Sequence, residues 1–309
     1  MTVSNQEKRN IIVRMLKAMD ALGVERVEIM PDTSHAGERI IRDYQQQMSG
    51  LEIALLDMPY IIGTQNDSLR AGRQMAEMDF AVIVVMGGDG TSRIVSKGCV
   101  DVPIIPVSTG TNNVFPEMIE GTLVGMAAAA VATSVVSVEE SCIRVPRLEL
   151  LNADDEVVDV ALVDIAVVDA ADTAARAVWE AERIKELYLA VTRPTSIGLS
   201  SIGAQLDPAA TDSGHGLQVL LGSGDTSVVA PIAPGMMSRL NVSSYQRFEP
   251  GVELPIRFTP SVVALDGERE VVIGKGERFR VRIADTGPRV VEVDKALNLA
   301  AERRYLVSE

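Results

Sequence analysis

Histidine and cysteine are scarce in this sequence of 309 residues. His35 and His215 are its two histidines, so the sequence offers little support for a histidine base or for a metal site built on a histidine cluster. Cys99 and Cys142 are its two cysteines, and neither has a partner at CxxC spacing. This pattern argues against both a disulfide framework and a zinc site.

Positive charge is also in short supply. The net charge is -14, the pI is about 4.7, and the sequence has no basic run. We therefore expect no nucleic-acid partner and no docking on an anionic membrane surface. The sequence also lacks an apolar segment long enough to span a bilayer and an N-terminal signal-peptide pattern, which together predict a cytoplasmic protein.

Apolar residues make up 47% of the chain, enough for a large core and for two domains. Residues 1–140 alternate helix and strand patterns, which is typical of a doubly wound parallel α/β sheet. Residues 141–293 carry short strand patterns separated by turn signals, and favour a β-sandwich or layered β domain with one helix at Thr173–Leu187. Residues 294–309 are predicted to contain a closing helix, Lys295–Arg304, that returns to the first domain.

The most informative stretch is an unbroken apolar run, Phe80–Met86, that ends in Gly87-Gly88-Asp89-Gly90-Thr91. The run predicts a strand buried on both faces, and the glycines allow the backbone to turn sharply and to approach a ligand closely. The amino end of a following helix would offer N–H groups to a phosphate. A plain strand-to-helix turn with an Asp or Thr cap is the simpler interpretation, but it needs fewer glycines.

A second predicted strand, Val102–Val107, ends in a run of small polar and carboxamide side chains. Such side chains suit ribose hydroxyls or a base edge, because an amide both donates and accepts hydrogen bonds. Taken alone, the segment is better explained as a turn stabilised by asparagine, but the presence of Gly87–Thr91 in the same sequence weakens that explanation. The residues concerned are Ser108, Thr109, Gly110, Thr111, Asn112 and Asn113.

Three further motifs have simple structural explanations. Asp266-Gly267-Glu268 predicts a hairpin turn, and Pro231-Ile232-Ala233-Pro234 predicts an edge strand that ends at prolines. Arg193 lies in a loop and is suited to a phosphate, although on the sequence alone a solvated arginine is the better explanation.

In this order, these motifs resemble the NAD kinase and diacylglycerol kinase superfamily, and especially its acetoin-catabolism protein X branch, which is similar to ATP-NAD kinases. Gly87–Thr91 matches the family signature, and Ser108–Pro116 matches that branch's second loop. Pro231–Pro234 and Asp266–Glu268 match later segments of the family. The resemblance implies an α/β nucleotide domain followed by a β-rich domain, with the site between them, and a homodimer or homotetramer.

The resemblance also implies roles for individual residues. Asp89 would be the base that takes a proton from the acceptor hydroxyl, which is the 2′-OH of the adenosine ribose if the substrate is NAD. Gly87, Gly88, Gly90 and Thr91 would hold the diphosphate, and Asn112 would contact the nucleotide. ATP with Mg²⁺ would complete the site. Phosphoryl transfer needs few catalytic side chains, because positioning of the reactants and neutralisation of charge account for most of the catalysis.

The chain departs from the NAD kinase pattern at three places. In one of them, only Arg193–Gly198 lies near the position where NAD kinases carry Thr-Pro-Thr-Gly-Ser-Thr-Ala-Tyr. Ala161-Leu162-Val163-Asp164 stands where NAD kinases carry Ala-Leu-Asn-Glu, so an amide is lost and the acid that would hold the second nucleotide, Asp164, is shorter. The superfamily also opens with a strand and an Asn-Pro-x-Ser/Ala-Gly loop, whereas this sequence opens on a helix. We therefore expect N-terminal residues to be missing and the sheet to lack a central strand, with unpaired edges.

Three functions follow from these observations, in order of preference. The first is an ATP-dependent kinase for NAD or a related nucleotide-like alcohol. The second is a kinase for a lipid or a small polyol linked to acetoin metabolism, although the acidic chain lacks the basic amphipathic helix that a lipid acceptor favours. The third is a non-catalytic nucleotide-binding protein.

Overall fold

The computed structural model describes residues 4–169, 183–212 and 214–307. Helices and short strands alternate in the first half of the chain, as the sequence pattern predicts. The elements of this half are α1 (Asn5–Ala21), β1 (Arg26–Ile29), α2 (Ala36–Tyr44), a short 3₁₀ helix (Gln45–Gln47), β2 (Glu52–Leu55), α3 (Gln65–Glu77), β3 (Ile83–Gly87), α4 (Asp89–Ser96), β4 (Ile104–Ser108), α5 (Gly121–Ala132), α6 (Val138–Ser141) and β5 (Cys142–Arg144).

Strands dominate the second half, and the chain ends on a helix. The elements are β6 (Arg147–Leu151), β7 (Val157–Ala161), β8 (Asp164–Asp169), β9 (Ile184–Leu189), α7 (Ser200–Leu206), β10 (Gly216–Ala233), β11 (Met236–Phe248), β12 (Leu254–Pro255), β13 (Ser261–Leu265), β14 (Glu268–Ile273), β15 (Arg280–Ala284), β16 (Arg289–Val291) and α8 (Val293–Glu302).

The strands of the first half form two separate hydrogen-bonded pieces. β1 pairs with β2 in parallel, and the second piece has the order β3-β4-β16-β5. β3, β4 and β16 are parallel, whereas β5 is antiparallel to β16. The sheet is therefore mixed rather than wholly parallel, because β5 pairs in antiparallel fashion with β16, which returns to the sheet from the second half of the chain.

Helices cover both faces of this sheet, as a doubly wound fold requires. On one face, α1, α2 and α5 share a core that contains Leu16, Ile40 and Ala128. On the other, α3 and α4 pack through Met75 and Val95. α8 joins the first of these faces and packs against α5.

The second half forms two antiparallel sheets, which have the orders β11-β10-β9-β8-β13-β14 and β12-β15-β6-β7. Their shared core takes side chains from both sheets, including Leu150 and Ile283 from one, and Val167 and Val263 from the other. The predicted β-sandwich is confirmed. Alternation along each strand brings one face of each sheet into this core.

One secondary-structure prediction is wrong where it can be compared. The helix predicted at Thr173–Leu187 falls largely on residues 170–182, which lie outside the described residues, and its last residues belong to β9. β9 lies between β8 and β10, so Ile184 and Leu187 are buried as parts of a central strand. None of the helices in the described part of the chain is long and apolar enough to cross a membrane.

Candidate functional site

The glycine-rich turn and the Ser108–Asn113 segment lie side by side at one edge of the first sheet. β3 and β4 are parallel neighbours, and Gly87 at the end of β3 is opposite Ser108 at the end of β4. The Thr109 N–H donates to the Gly87 carbonyl across 3.1 Å. The carboxyl ends of neighbouring parallel strands meet at the same edge, so these two segments form one polar surface.

Close packing explains the glycines of the turn. A Cβ at position 87 would lie 2.5 Å from Cβ of Thr91, and a Cβ at position 88 would lie 2.7 Å from Oδ1 of Asn113. A Cβ at position 90 would meet Cγ of Glu268 at 3.3 Å. Gly88 is also the N-cap of α4, so the helix begins directly against its neighbours.

Some of the predicted binding residues hold the two segments together. Nδ2 of Asn113 donates to Oγ of Ser108 across 2.7 Å and to the Gly87 carbonyl across 3.4 Å. Oγ of Ser108 donates to the Gly110 carbonyl across 2.8 Å. Thr111 is exposed and Asn112 is half-buried, and Oγ1 of Thr111 donates to Oδ1 of Asn112 across 3.0 Å. Ser108 and Asn113, at the ends of the segment, therefore stabilise its conformation, whereas Thr111 in the middle is exposed to solvent.

The Asp89 carboxylate is fixed by the backbone that follows Asn113. Its Oδ1 accepts N–H bonds from Val114 at 3.0 Å and from Phe115 at 2.8 Å, and its Oδ2 accepts one longer bond from Val114 at 3.2 Å. Oδ2 therefore accepts fewer hydrogen bonds than Oδ1, and its one bond is longer. Burial raises the pKa of Asp89 to about 6, against the effect of these N–H bonds and of the charge of Arg193.

Two further carboxyls lie beneath Asp89 in the sandwich. Asp266 is buried and accepts N–H bonds from Leu162, Val163 and Asp164 at 2.8, 2.8 and 3.1 Å. Burial raises the pKa of Asp266, although these three bonds favour its ionised form. The turn Asp266-Gly267, with φ of 48° and 82°, joins β13 to β14 as predicted.

Asp164 is buried as well, and within the described residues its Oδ1 has no hydrogen-bond partner. Burial raises the pKa of Asp164 well above its ordinary range, and the negative charges of Asp266 and Asp89 act in the same direction. Its neutral, protonated form is therefore favoured. The structure therefore places Asp164 in the interior of the protein and not on an open surface.

Sequence reasoning assigned no role to four groups that build this site. They are the N–H groups of Val114 and Phe115, and the carboxylates of Asp266 and Glu268. The signal for the last two was the Asp-Gly-Glu motif, which a hairpin turn explained equally well. Glu268 is exposed and lies against Gly90 at the amino end of α4.

A cleft of about 1390 Å³ lies between the two halves of the chain, and neither Asp89 nor the glycine turn is among the residues that line it. The backbone segment that holds Asp89 forms part of its wall through Val114 and Phe115, and Leu162 and Arg193 line it from the sandwich. Nη1 of Arg193 donates to the Val114 carbonyl across 3.3 Å and lies 3.5 Å from the Glu117 carboxylate. The positively charged guanidinium of Arg193 therefore lies on the cleft wall, close to the backbone segment that binds the Asp89 carboxylate.

Within the described residues, no three His, Cys, Asp or Glu side chains are grouped so that they could hold a metal ion by themselves. Mg²⁺ commonly binds through one or two carboxylates together with the phosphates of a substrate, and keeps several waters. The acidic side chains around α4, Asp89 and Glu268, are of the type that this mode of binding uses.

Comparison with known proteins agrees with this two-part architecture. Residues 1–139 match the ATP-NAD kinase N-terminal domain, and residues 146–286 match the acetoin catabolism protein X C-terminal domain. The yeast NADH kinase, whose crystal structure was solved with NADH, aligns with a TM-score of 0.52 at 14% identity, over 97% of this chain and 84% of that one. This likeness shows the fold, which is NAD kinase-like.

Acetoin catabolism protein X of Cupriavidus necator is 36% identical over 312 aligned residues, which cover 98% of this chain and 87% of that protein. This identity over nearly the whole chain, together with the match of residues 146–286, shows that the chain belongs to the acetoin catabolism protein X family.

Proposed function

We propose that this protein is an ATP-dependent phosphotransferase that phosphorylates a hydroxyl of NAD or of a related nucleotide-like alcohol. The observation that carries the proposal is the placement of Asp89. Its carboxylate is held by the Val114 and Phe115 N–H groups between the glycine turn and the cleft, and its pKa is raised to about 6. A fixed carboxylate with this pKa is largely ionised at neutral pH and still accepts a proton readily.

In the proposed reaction, Oδ2 of Asp89 takes the proton of the acceptor hydroxyl. The hydroxyl oxygen then bonds to the γ-phosphorus of ATP, the bond to the bridging oxygen breaks, and ADP leaves. Oδ1 keeps its two N–H bonds throughout, which holds the orientation of the carboxylate. Phosphoryl transfer of this kind depends mainly on positioning and on charge stabilisation.

The phosphates of ATP would lie over the amino end of α4. The first-turn N–H groups of a helix lack partners within the helix, and its dipole favours an anion there. Gly87, Gly88, Gly90 and Thr91 would hold the phosphates through backbone N–H and hydroxyl donors, and Thr111 and Asn112 would supply further polar groups. The carboxylates of Asp89 and Glu268 would repel the phosphates of ATP. Mg²⁺ bound to the phosphates would neutralise part of this negative charge, so these residues fit ATP with Mg²⁺.

The acceptor would occupy the cleft, whose lining includes the basic side chains of Arg193 and Lys295. The cleft, at about 1390 Å³, is larger than the ~300–1,000 Å³ of common small-molecule sites, and so has room for a dinucleotide. The fold relative solved with NADH is consistent with such an acceptor.

A second candidate acceptor is a small polyol linked to acetoin metabolism. The burial of Asp164, together with Val163 beside it, favours this alternative over NAD. Neither residue is placed to offer the amide and carboxylate contacts that the NAD kinase resemblance implies at this point. The family's printed name, acetoin catabolism, points to the same class of acceptor.

The test is incubation of the protein with ATP and Mg²⁺, and with NAD, acetoin or a panel of small polyols, followed by mass analysis of the products. A gain of one phosphoryl group on NAD supports the first candidate, and a gain on a polyol supports the second. If intact, folded protein binds ATP but transfers phosphate to none of them, the phosphotransferase proposal is wrong and a nucleotide-binding role replaces it.

A further inference from the structure

The cleft between the two halves of the chain carries an excess of negative charge. Among the described residues that line it, six have carboxyl side chains and two have basic side chains. The acidic residues are Glu117, Glu120, Asp212, Glu292, Asp294 and Glu302, and the basic residues are Arg193 and Lys295. A ligand that enters the cleft therefore meets a negative potential, which disfavours anions.

Both basic side chains already have acidic partners on the cleft wall. Nη1 of Arg193 lies 3.5 Å from the Glu117 carboxylate, and Nζ of Lys295 lies 3.1 Å from the Glu292 carboxylate. Each positive charge is therefore partly balanced by the protein itself. A phosphate that bound to either cation would approach the neighbouring carboxylate, and this repulsion costs free energy.

Two helices, α5 and α8, begin at the cleft, and each has acidic side chains at its amino end. Glu120 is the N-cap of α5, and its carboxylate accepts the Thr122 N–H across 2.6 Å. Glu292 is the N-cap of α8, and Asp294 lies in the first turn of that helix. The amino end of a helix commonly binds phosphate, because its N–H groups and its dipole favour an anion. In this cleft, carboxylates of the protein already lie at both helix ends.

The cleft also offers apolar surface to a ligand. Met118, Leu123 and Ile143 line it and are exposed, and Val145 and Leu299 are half-buried on its wall. Apolar walls stabilise a ligand through the area that they bury. Carboxylates accept strong hydrogen bonds from hydroxyl groups. This combination suits an uncharged alcohol, whose carbon atoms pack against the wall while its hydroxyls donate to the carboxylates.

We propose that the cleft selects an uncharged alcohol, such as a nucleoside or a small polyol, and that it binds dinucleotides and other phosphate-bearing molecules weakly. The volume of about 1390 Å³ admits a dinucleotide, so charge and not size determines this selectivity. Because the cleft is taken as the acceptor site, the selectivity rests on the proposed function. Within the proposed class of acceptors, it favours those without a phosphate group.

The test measures binding and needs no turnover. NAD, its uncharged fragment adenosine, and glycerol are each titrated into the protein by calorimetry. Mg²⁺ and a non-hydrolysable ATP analogue are present, so that the glycine turn is occupied and NAD binds at the cleft. Salt screens repulsion between charges, so the dissociation constant for NAD should fall at least about twofold between about 20 and 200 mM NaCl, and that of the uncharged probes should stay constant.

A double variant, Glu120→Gln with Asp294→Asn, tests the two helix ends directly. The amides keep hydrogen-bond acceptors there but remove the charge. The affinity for NAD should rise at least about threefold, and the affinity for adenosine should change by less. Glu139→Gln with Asp154→Asn is the matched control, since both residues are exposed and neither lines the cleft. This control should leave NAD binding unchanged.

Several results would overturn the proposal. They are NAD binding that weakens as salt is added, NAD binding that is no tighter in the double variant, a gain that adenosine or the control pair shares equally, and failure of both uncharged probes to bind. The phosphorylation assay is independent of these results. Binding of adenosine or glycerol without phosphate transfer would reject the proposed reaction but not the selectivity, whereas phosphate transfer to NAD with binding that salt weakens would reject only the selectivity.

Discussion

The fully buried guanidinium of Arg93 donates to the Asp159 carboxylate across 3.0 Å and thereby joins α4 to β7. Nζ of Lys97, one turn further along α4, lies 2.9 Å from the other carboxylate oxygen. These contacts fasten the helix that follows the glycine turn to the sandwich. The relative position of the turn and the cleft therefore depends on a buried charge pair.

Asp159→Ala should destabilise the protein by about 3–5 kcal/mol, because it leaves the Arg93 charge buried without this partner. Urea unfolding followed by circular dichroism measures the change. Glu139→Ala is the matched control: Glu139 is 75% exposed in its pair with Arg289, and we expect a loss of under about 1 kcal/mol. Equal losses in the two variants would mean that the Arg93 pair does not fasten α4.

Asp89→Asn should lower kcat by at least about a hundredfold, because an amide cannot take the acceptor proton. The fold should survive, since the amide oxygen can still accept from Val114 and Phe115. The measurement is initial rate with the acceptor that the product assay identifies. Asp154→Asn, an identical change in an exposed turn of the sandwich, should leave the rate unchanged; an unaffected rate in Asp89→Asn would exclude Asp89 as the base.

Activity should fall as the pH drops through about 6. The active form of Asp89 is the deprotonated one, and its pKa is about 6. At a pH one unit below that value, roughly a tenth of the carboxylate remains ionised, so kcat/KM should fall about tenfold. A pH–rate profile between 5 and 8, with circular dichroism at each pH to confirm folding, measures this; a flat profile would contradict the role of Asp89.

Asp164→Asn should stabilise the protein increasingly as the pH rises. The pKa of Asp164 is higher in the folded protein than in the unfolded chain. Below the unfolded pKa, near 3.8, the carboxyl is neutral in both states, so its burial does not reduce the stability of the protein through ionisation. That stability is lost as the pH rises toward the folded pKa. Asparagine does not titrate, so the difference in melting temperature from the unmodified protein should grow between pH 4 and 8. A constant difference would show that Asp164 does not titrate in this way.

Gly87→Ala and Gly90→Ala should differ sharply in stability. The new Cβ at position 87 meets Cβ of Thr91 at 2.5 Å, and Thr91 is held in the first turn of α4, so we expect a loss of about 1–3 kcal/mol. At position 90 the nearest atom is Cγ of the exposed Glu268 at 3.3 Å, which can move, and the change should be within about 0.5 kcal/mol. Thermal unfolding compares the two, and similar losses would mean that the glycine turn is not tightly packed.

Much of the site could be predicted from sequence because its main segments follow apolar strands. The Gly87 turn and the Ser108 segment each end such a strand, and parallel neighbours place these ends together. Asp266 could not be recognised in this way, because an Asp-Gly pair is fully explained by the turn it forms. Its contacts with the N–H groups of residues 162–164 span about a hundred positions of sequence, and local patterns carry no information at that range.

The amino-acid sequence alone determined the order of helices and strands in the first half, the β-rich second half, the glycine turn and the position of Asp89. These features depend on local periodicity and on the backbone freedom of particular residues. Only the tertiary structure decided that Asp89 is fixed by Val114 and Phe115, that Asp164 is buried and favours its neutral form, and that β16 returns to the first sheet beside β4. Protonation and strand pairing depend on which distant segments surround a group, and packing alone determines that.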